Sequence, residues 1–297
     1  MKILVTGANG QLGSEIRKLS LKNKYYKWIF SGSKELDLSD LYNLENELSK
    51  INPAIIINCA GHTDVDKAES EPELSDLLNH QSVALISKWS HTNNCKLVHI
   101  STDYVFDGNS FEALSEEAQA KPVNTYGTTK LAGERACLQN NPNAIIIRTS
   151  WVFSSFGNNF VKTMVRLMQE RDILNVVNDQ IGSPTYAGDI AEIIMVILNH
   201  EKWKPGLYNF SNEGKTSWYQ FAIAIQEISG FDCEICAVSS KSYPAPAKRP
   251  AFSLLDKSKI KREYGIEVTH YNVGLIKCLE LLKSNKKVFK INKAFKK

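Results

Sequence analysis

The 297-residue chain is 43% hydrophobic and 23% charged, the balance of an ordinary globular protein long enough for one large domain or two lobes. Its formal net charge of +4 comes from its end: Lys283 to Lys297 hold seven Lys and no acidic residue, so the remainder is slightly acidic. That excludes a basic nucleic-acid-binding body, and the tail, 286–297, reads as a solvated end.

The chain begins as a strand without a basic-apolar-small leader, and its longest apolar run, near Ile193 to Leu198, is too short to cross a bilayer. Of six scattered Cys, only Cys233 and Cys236 approach metal-ligand spacing, and a zinc site needs two more ligands. The expectation is a cytoplasmic protein with no nucleic-acid or membrane partner and no metal site.

In chain order, Ile3 to Thr6 is a β-branched strand that ends at glycines. Gln11 to Leu19 follows with Leu12, Ile16 and Leu19 at helical spacing. Lys27 to Ser31 reads as a strand, Leu41 to Leu48 as a helix, Ala54 to Asn58 as an apolar strand and Leu74 to Ser90 as one long helix. Leu97 to Ser101 and Ala144 to Arg148 are further apolar strands. Such strands want cover on both faces, which predicts an α/β, doubly wound parallel sheet. From Trp151 the rhythm loosens into Asn-, Gly- and Pro-rich stretches. We expect a dinucleotide-binding domain over 1–150, with 185–212 returning to it, and a smaller substrate lobe over 151–184 and 213–285.

Gly7-x-x-Gly10-x-x-Gly13 lies between a strand and a helix. In that place glycines allow a tight turn and close approach of a pyrophosphate to the helix N-terminus; a plain strand-to-helix turn is the alternative. Asn9, Gln11 and Leu12 join the cofactor-binding set. An NAD-selective site places a carboxylate at the end of the second strand, whereas this chain reads Ser31-Gly32-Ser33-Lys34. NADPH is therefore expected, with Lys34 either on the 2′-phosphate or an exposed loop lysine; NADH stays open. Asp37 and Leu38 are placed to line the adenine pocket. Cys59, Ala60 and Gly61 end the third strand in small residues, which let a cofactor lie close or simply pack helix on strand. His62, Asp64 and Asp66 make a polar cluster whose spacing fits no metal cage.

Tyr126 and Lys130 share a helix face at i, i+4, so the ammonium can sit beside the phenol and favour its ionised form. Thr102, where a strand meets a loop at the sheet's carboxyl edge, can hold a carbonyl oxygen while Tyr126 protonates it; a local turn hydrogen bond is the alternative.

The run from Ser101 to Phe106, the segment Tyr126-Gly127-Thr128-Thr129-Lys130, and Arg148-Thr149-Ser150-Trp151 carry a resemblance. So do Asn178-Asp179-Gln180 and Arg249-Pro250. With these, the chain from Met1 to about Leu282 resembles the extended short-chain dehydrogenase/reductases, and within them the dTDP-4-dehydrorhamnose reductase family. The resemblance implies a nucleotide-sugar 4-keto reductase with Thr102, Tyr126 and Lys130 catalytic. It also implies that Val105, Phe106, Trp151, Asn159, Gln180 and Arg249 lie around the nucleotide-sugar. An epimerase or dehydratase of the same superfamily would keep Tyr126 and Lys130, and a regulatory subunit would keep the fold without turnover. Some family members dimerise around magnesium held by glutamates. Glu15 and Glu280 match that pattern, but Gly188 stands where a further carboxylate is expected, so a metal-bridged dimer is doubtful and a homodimer stays open.

Overall fold

The structure, a computed structural model, describes residues 1–284; the lysine-rich tail lies outside the described residues. The first half runs β1 (Lys2–Thr6), α1 (Gln11–Ser20), β2 (Lys27–Ser31), α2 (Leu41–Ile51), β3 (Ile55–Asn58), α3 (Val65–Ser70), α4 (Pro72–Asp76), α5 (Ser82–Thr92), β4 (Lys96–Thr102), α6 (Thr125–Asn140) and β5 (Ile145–Thr149). The second half runs β6 (Val152–Phe153), α7 (Phe160–Glu170), β7 (Ile173–Val177), β8 (Ile181–Gly182), β9 (Thr185–Tyr186), α8 (Ala187–Asn199), β10 (Gly206–Asn209), β11 (Thr216–Ser217), α9 (Trp218–Ser229), β12 (Glu234–Val238), α10 (Ser258–Tyr264) and α11 (Tyr271–Ser284).

Six strands form one parallel sheet in the order β10-β5-β4-β3-β1-β2. Because strand side chains alternate, each apolar run feeds both faces. Ile3, Val5, Ile55, Ile57 and Val98 pack with Leu12 and Ile16 of α1 and Ile190 and Ile194 of α8. Leu4, Ile56, Leu97 and Ile146 pack on the other side with Leu44 and Leu48 of α2 and Val83 and Ile86 of α5. Each such fully buried aliphatic side chain contributes roughly 1.5–3 kcal/mol. The sheet is therefore covered on both faces, as the continuous apolar strands demand.

A separate apolar cluster joins Phe153, Val161 and Met164 to Phe221, Leu275 and Leu279. It is roofed by the parallel pair β7 and β12. The Ile260 and Tyr264 side chains of α10 instead join the cluster under the main sheet.

The expected helix from Leu74 to Ser90 is interrupted by a π-helical turn, Leu77–Gln81. The turn carries Asn79, whose amide donates to His62 O (3.0 Å) and to Thr129 Oγ1 (3.2 Å) while its Oδ1 accepts from His62 N (2.9 Å). A Cβ at Gly133 would lie 2.0 Å from Asn79 O, so α6 touches this turn backbone to backbone. Apolar spacing alone does not register one inserted residue. Among the described residues, no helix is long and apolar enough to cross a membrane.

Candidate active site

The strand order reverses between β1 and β3, and ligands bind in the crevice that such a reversal opens at the strands' carboxyl ends. Here a cavity of about 780 Å³ occupies it. Gly7 has φ +61°, and a Cβ on it would lie 2.7 Å from Ala60 N. The two loops thus meet backbone to backbone, with Cys59, Ala60 and Gly61 in the wall. A Cβ on Gly13 would sit 2.5 Å from Gly7 O, so Gly13 serves close packing behind the wall. Gly10 precedes α1 and no side chain caps it, which leaves first-turn N–H groups beside Gln11 and Leu12 of the wall for an anion.

On the β2 side the wall includes Gly32, Ser33, Asp37 and Leu38. Asn9 explains Gly32, since a Cβ there would lie 2.3 Å from the Asn9 amide nitrogen. The Ser39 hydroxyl and N–H donate to the Asp37 carboxylate and hold it below the usual range. Lys34 is exposed and lies outside the wall. Glu35, adjacent to it, is turned back onto Gly32 N (2.8 Å).

The catalytic candidates converge. Asn124 caps α6 through Gly127 N (2.7 Å), and the first turn presents Tyr126 to the cavity beside Thr102 at the end of β4. Burial pushes the Tyr126 phenol up to about 12, against the Thr102 contact, and the nearby Asp103 carboxyl raises it further. Lys130 is also buried, which lowers its ammonium to about 8. Its Nζ donates to Ile100 O at 2.6 Å. In this arrangement the strand-end carbonyl holds the Lys130 ammonium one turn along α6 from Tyr126.

Two cavity residues were missed in the sequence, although both sit in the quoted run after Ser101. Asp103, fully buried and raised to about 7 by that burial, accepts from Thr102 Oγ1 (3.1 Å). Tyr104 packs edge-on against Tyr126, with centroids 5.6 Å apart.

The residues expected around the nucleotide-sugar divide. Trp151 lines the cavity with a left-handed backbone, φ +46°. Its indole stacks on Trp218 at 3.6 Å with 6° between planes, and Trp218, absent from the sequence-based set, also lines the cavity. Val105 and Phe106 do not: the single 3₁₀ turn at Asp103–Val105 faces Tyr104 to the cavity and buries both against Leu131 and Leu255. Asn159 caps α7 and donates to Gln11 Oε1 (2.9 Å) and Ser154 O (2.7 Å). Gln180 reaches Ser240 Oγ (3.4 Å). Arg249 pairs with Asp66 (2.7 Å) and donates to Ala247 O. These last three stand outside the cavity wall.

The polar cluster after Gly61 is equally committed to structure. His62 faces Glu71 at 3.1 Å, Asp64 caps α3, and Asp66 holds Arg249. A magnesium bridge does not fit the residues present. Glu15 is 2% exposed and accepts from Ser154 Oγ (2.7 Å). The Tyr186 ring fills the space at Gly188, where a Cβ would lie 2.3 Å from it. Glu280 points outward from α11.

The family model described as "RmlD substrate binding domain" matches residues 1–284. The chain is 40% identical to the dTDP-4-dehydrorhamnose reductase of Aggregatibacter actinomycetemcomitans, an alignment covering 92% of this chain and 97% of that one. The chain belongs to the dTDP-4-dehydrorhamnose reductase family. Among other members, the Salmonella typhimurium enzyme is 39% identical over 94% of this chain and 97% of its own. A solved dTDP-4-dehydrorhamnose reductase from Bacillus anthracis in complex with NADP superimposes with a TM-score of 0.90 at 35% identity, covering 94% of this chain and 99% of that one. As a family member, the chain is an NADPH-dependent oxidoreductase with a Rossmann-type fold.

Proposed function

We propose that this chain reduces the 4-keto group of dTDP-4-dehydro-L-rhamnose with NADPH, giving dTDP-L-rhamnose. The observation that carries this reading is the convergence of Thr102, Tyr126 and Lys130 in the cavity that also holds the glycine cradle. The cradle fits a dinucleotide: Gly7 admits close backbone approach, and α1 keeps an N-terminus free of side-chain caps. Gly7, Asn9, Gly10, Gln11 and Leu12 would hold its diphosphate, Asp37 and Leu38 its adenine side, and Cys59, Ala60 and Gly61 the stretch toward the nicotinamide. When bound, NADPH supplies the hydride for C4.

The protein's own residues handle the oxygen. Tyr126, kept protonated by burial, gives its phenolic proton to the forming alkoxide, while the Thr102 hydroxyl orients the carbonyl. The Lys130 ammonium supports Tyr126 and would hold the nicotinamide ribose. Trp151, braced by Trp218, forms the wall for the sugar. Asn159, Gln180 and Arg249 support that wall from behind or join it when the nucleotide binds. A magnesium-bridged homodimer is no part of this reading.

The test is loss of NADPH absorbance with dTDP-4-dehydro-L-rhamnose against its UDP counterpart, with NADH in parallel. Preferential turnover of the dTDP substrate with NADPH is expected. No oxidation with either substrate would exclude the assignment.

A further inference from the structure

Beneath the catalytic pair lies a buried ion pair that the mechanism above does not use. Glu134 Oε2 meets Arg148 Nη2 at 2.7 Å and Glu134 Oε1 accepts from Arg148 Nε at 2.9 Å, with both side chains 4% exposed. Ser101 Oγ donates to the same Oε1 at 2.5 Å. Ser101 and Arg148 face each other across β4 and β5, so one carboxylate ties two strands to α6. Arg148 is held from its other side by the Phe106 ring, 5.1 Å away, and by Glu116 O.

This anchor sits one helical turn beyond Lys130, on the same face of α6. Strand β4 serves both groups with successive residues: Ile100 O accepts from the Lys130 ammonium and Ser101 Oγ donates to the Glu134 carboxylate. Thr102 comes next. The titratable and charged groups around Lys130 are Tyr126, Glu134 and Cys137 from α6, Cys59 after β3, His99 from β4, and Arg148 of β5 behind Glu134. His99 is fully buried and its pKa is driven well below the ordinary value, first by burial and then by Lys130, so it stays neutral. Burial raises the Cys59 and Cys137 thiols to about 12 and about 11, so both also remain neutral near pH 7. Glu134 is thus the one anion among these groups.

We propose that Glu134 is a positioning residue for catalysis, the buried counter-charge that keeps Lys130 an ammonium, with Ser101 and Arg148 fixing its carboxylate. The proposal rests on the reading of Lys130 given above. Burial already brings Lys130 down to about 8, and the Glu134 carboxylate is the largest influence opposing that fall. Removing it moves deprotonation of Lys130 to lower pH, and any activity that needs the ammonium disappears earlier as pH rises.

The experiment compares wild type, Glu134→Gln, Glu134→Asp and the double variant Glu134→Gln/Arg148→Leu. Competitive acetylation of the cofactor-free protein across pH, followed by mass spectrometry of the Lys130 peptide, reads the Lys130 midpoint without relying on turnover. The pH profile of kcat/KM for NADPH oxidation is the second readout. In Glu134→Gln the midpoint should fall by about 1 unit or more, the scale of losing an opposite charge nearby. The ratio of kcat/KM at pH 8 to that at pH 6 should fall with it by about fivefold for a one-unit shift from about 8. Glu134→Asp should restore much of both.

The double variant removes both buried charges together, which a fold tolerates better than an orphaned one. It should melt near wild type while keeping the shifted midpoint. An unmoved midpoint in Glu134→Gln, or a wild-type midpoint in the double variant, would reduce Glu134 to a fold anchor and overturn the proposal. Failure of wild type to oxidise NADPH would instead undo the functional reading, and the acetylation midpoints would still decide the role of Glu134.

Discussion

Replacing Trp218 by Ala tests whether the indole pair shapes the substrate wall. Trp218 lies flat on Trp151 at 3.6 Å and is itself backed by Phe160, with centroids 4.6 Å apart. An aromatic stack contributes about 0.5–1.5 kcal/mol beyond the area it buries. Trp151 also holds a left-handed backbone, which costs an L-residue roughly 1–2 kcal/mol and persists only where packing enforces it. Without the stack Trp151 relaxes, and substrate must restore it at a cost of about 1–2 kcal/mol, a factor of roughly 5–30 in affinity. We therefore expect Trp218→Ala to raise the nucleotide-sugar KM by about tenfold. The NADPH Kd, measured by fluorescence, should hold, since the Trp218 ring packs on Trp151 and Phe160 rather than on the glycine loop. Trp218→Phe, which keeps a ring to stack, should behave close to wild type. A KM within about twofold of wild type in Trp218→Ala, below 0.5 kcal/mol, would refute the reasoning, as would an equal weakening of NADPH.

Tyr126→Phe should bind NADPH normally and lose at least ~10²-fold in turnover, the scale of a positioned general acid; near-wild-type rates would remove Tyr126 from the mechanism. Lys34→Ala, assayed with both cofactors, should weaken NADPH more than NADH if the exposed side chain folds onto the 2′-phosphate; equal losses, or none, leave it a surface lysine. Arg249→Ala should raise the nucleotide-sugar KM, by a charge-assisted contact of roughly 1.5–3 kcal/mol, and Arg249→Lys should raise it less. An unchanged KM in both would confine Arg249 to tethering its loop to Asp66.

The parallel sheet was legible because its strands are continuous apolar runs, and Gly7, Tyr126 and Lys130 because each marks a place where chemistry restricts the residue type. What stayed hidden depends on how separate elements meet. Trp218 opens α9 with no motif of its own, and only the fold lays it on Trp151. Val105 and Phe106 sit in the right run, but a single 3₁₀ turn decides which side chains reach the cavity, and it selects Asp103 and Tyr104. Arg249 and Asp66 are 183 positions apart, so no local pattern could announce their pairing. The sense in which Lys130 acts was also out of reach, since i, i+4 spacing says that two groups share a face and not that Ile100 O lies nearer.

The links between α1 and the segment after β6 have a thermodynamic consequence. Gln11 donates to Val152 O and accepts from Asn159, Glu15 accepts from Ser154, and Gly157 packs against the Gln11 side chain. The helix proposed to receive the cofactor's diphosphate and the start of the segment proposed to carry the sugar wall are therefore tied by shared hydrogen bonds. Whatever free energy one ligand spends ordering that junction, the other no longer has to spend. By reciprocity, the factor by which dinucleotide tightens the nucleotide-sugar equals the factor by which the nucleotide-sugar tightens the dinucleotide. Loosening the junction, as in Asn159→Ala, should shrink both factors together and leave the two ligands binding as strangers.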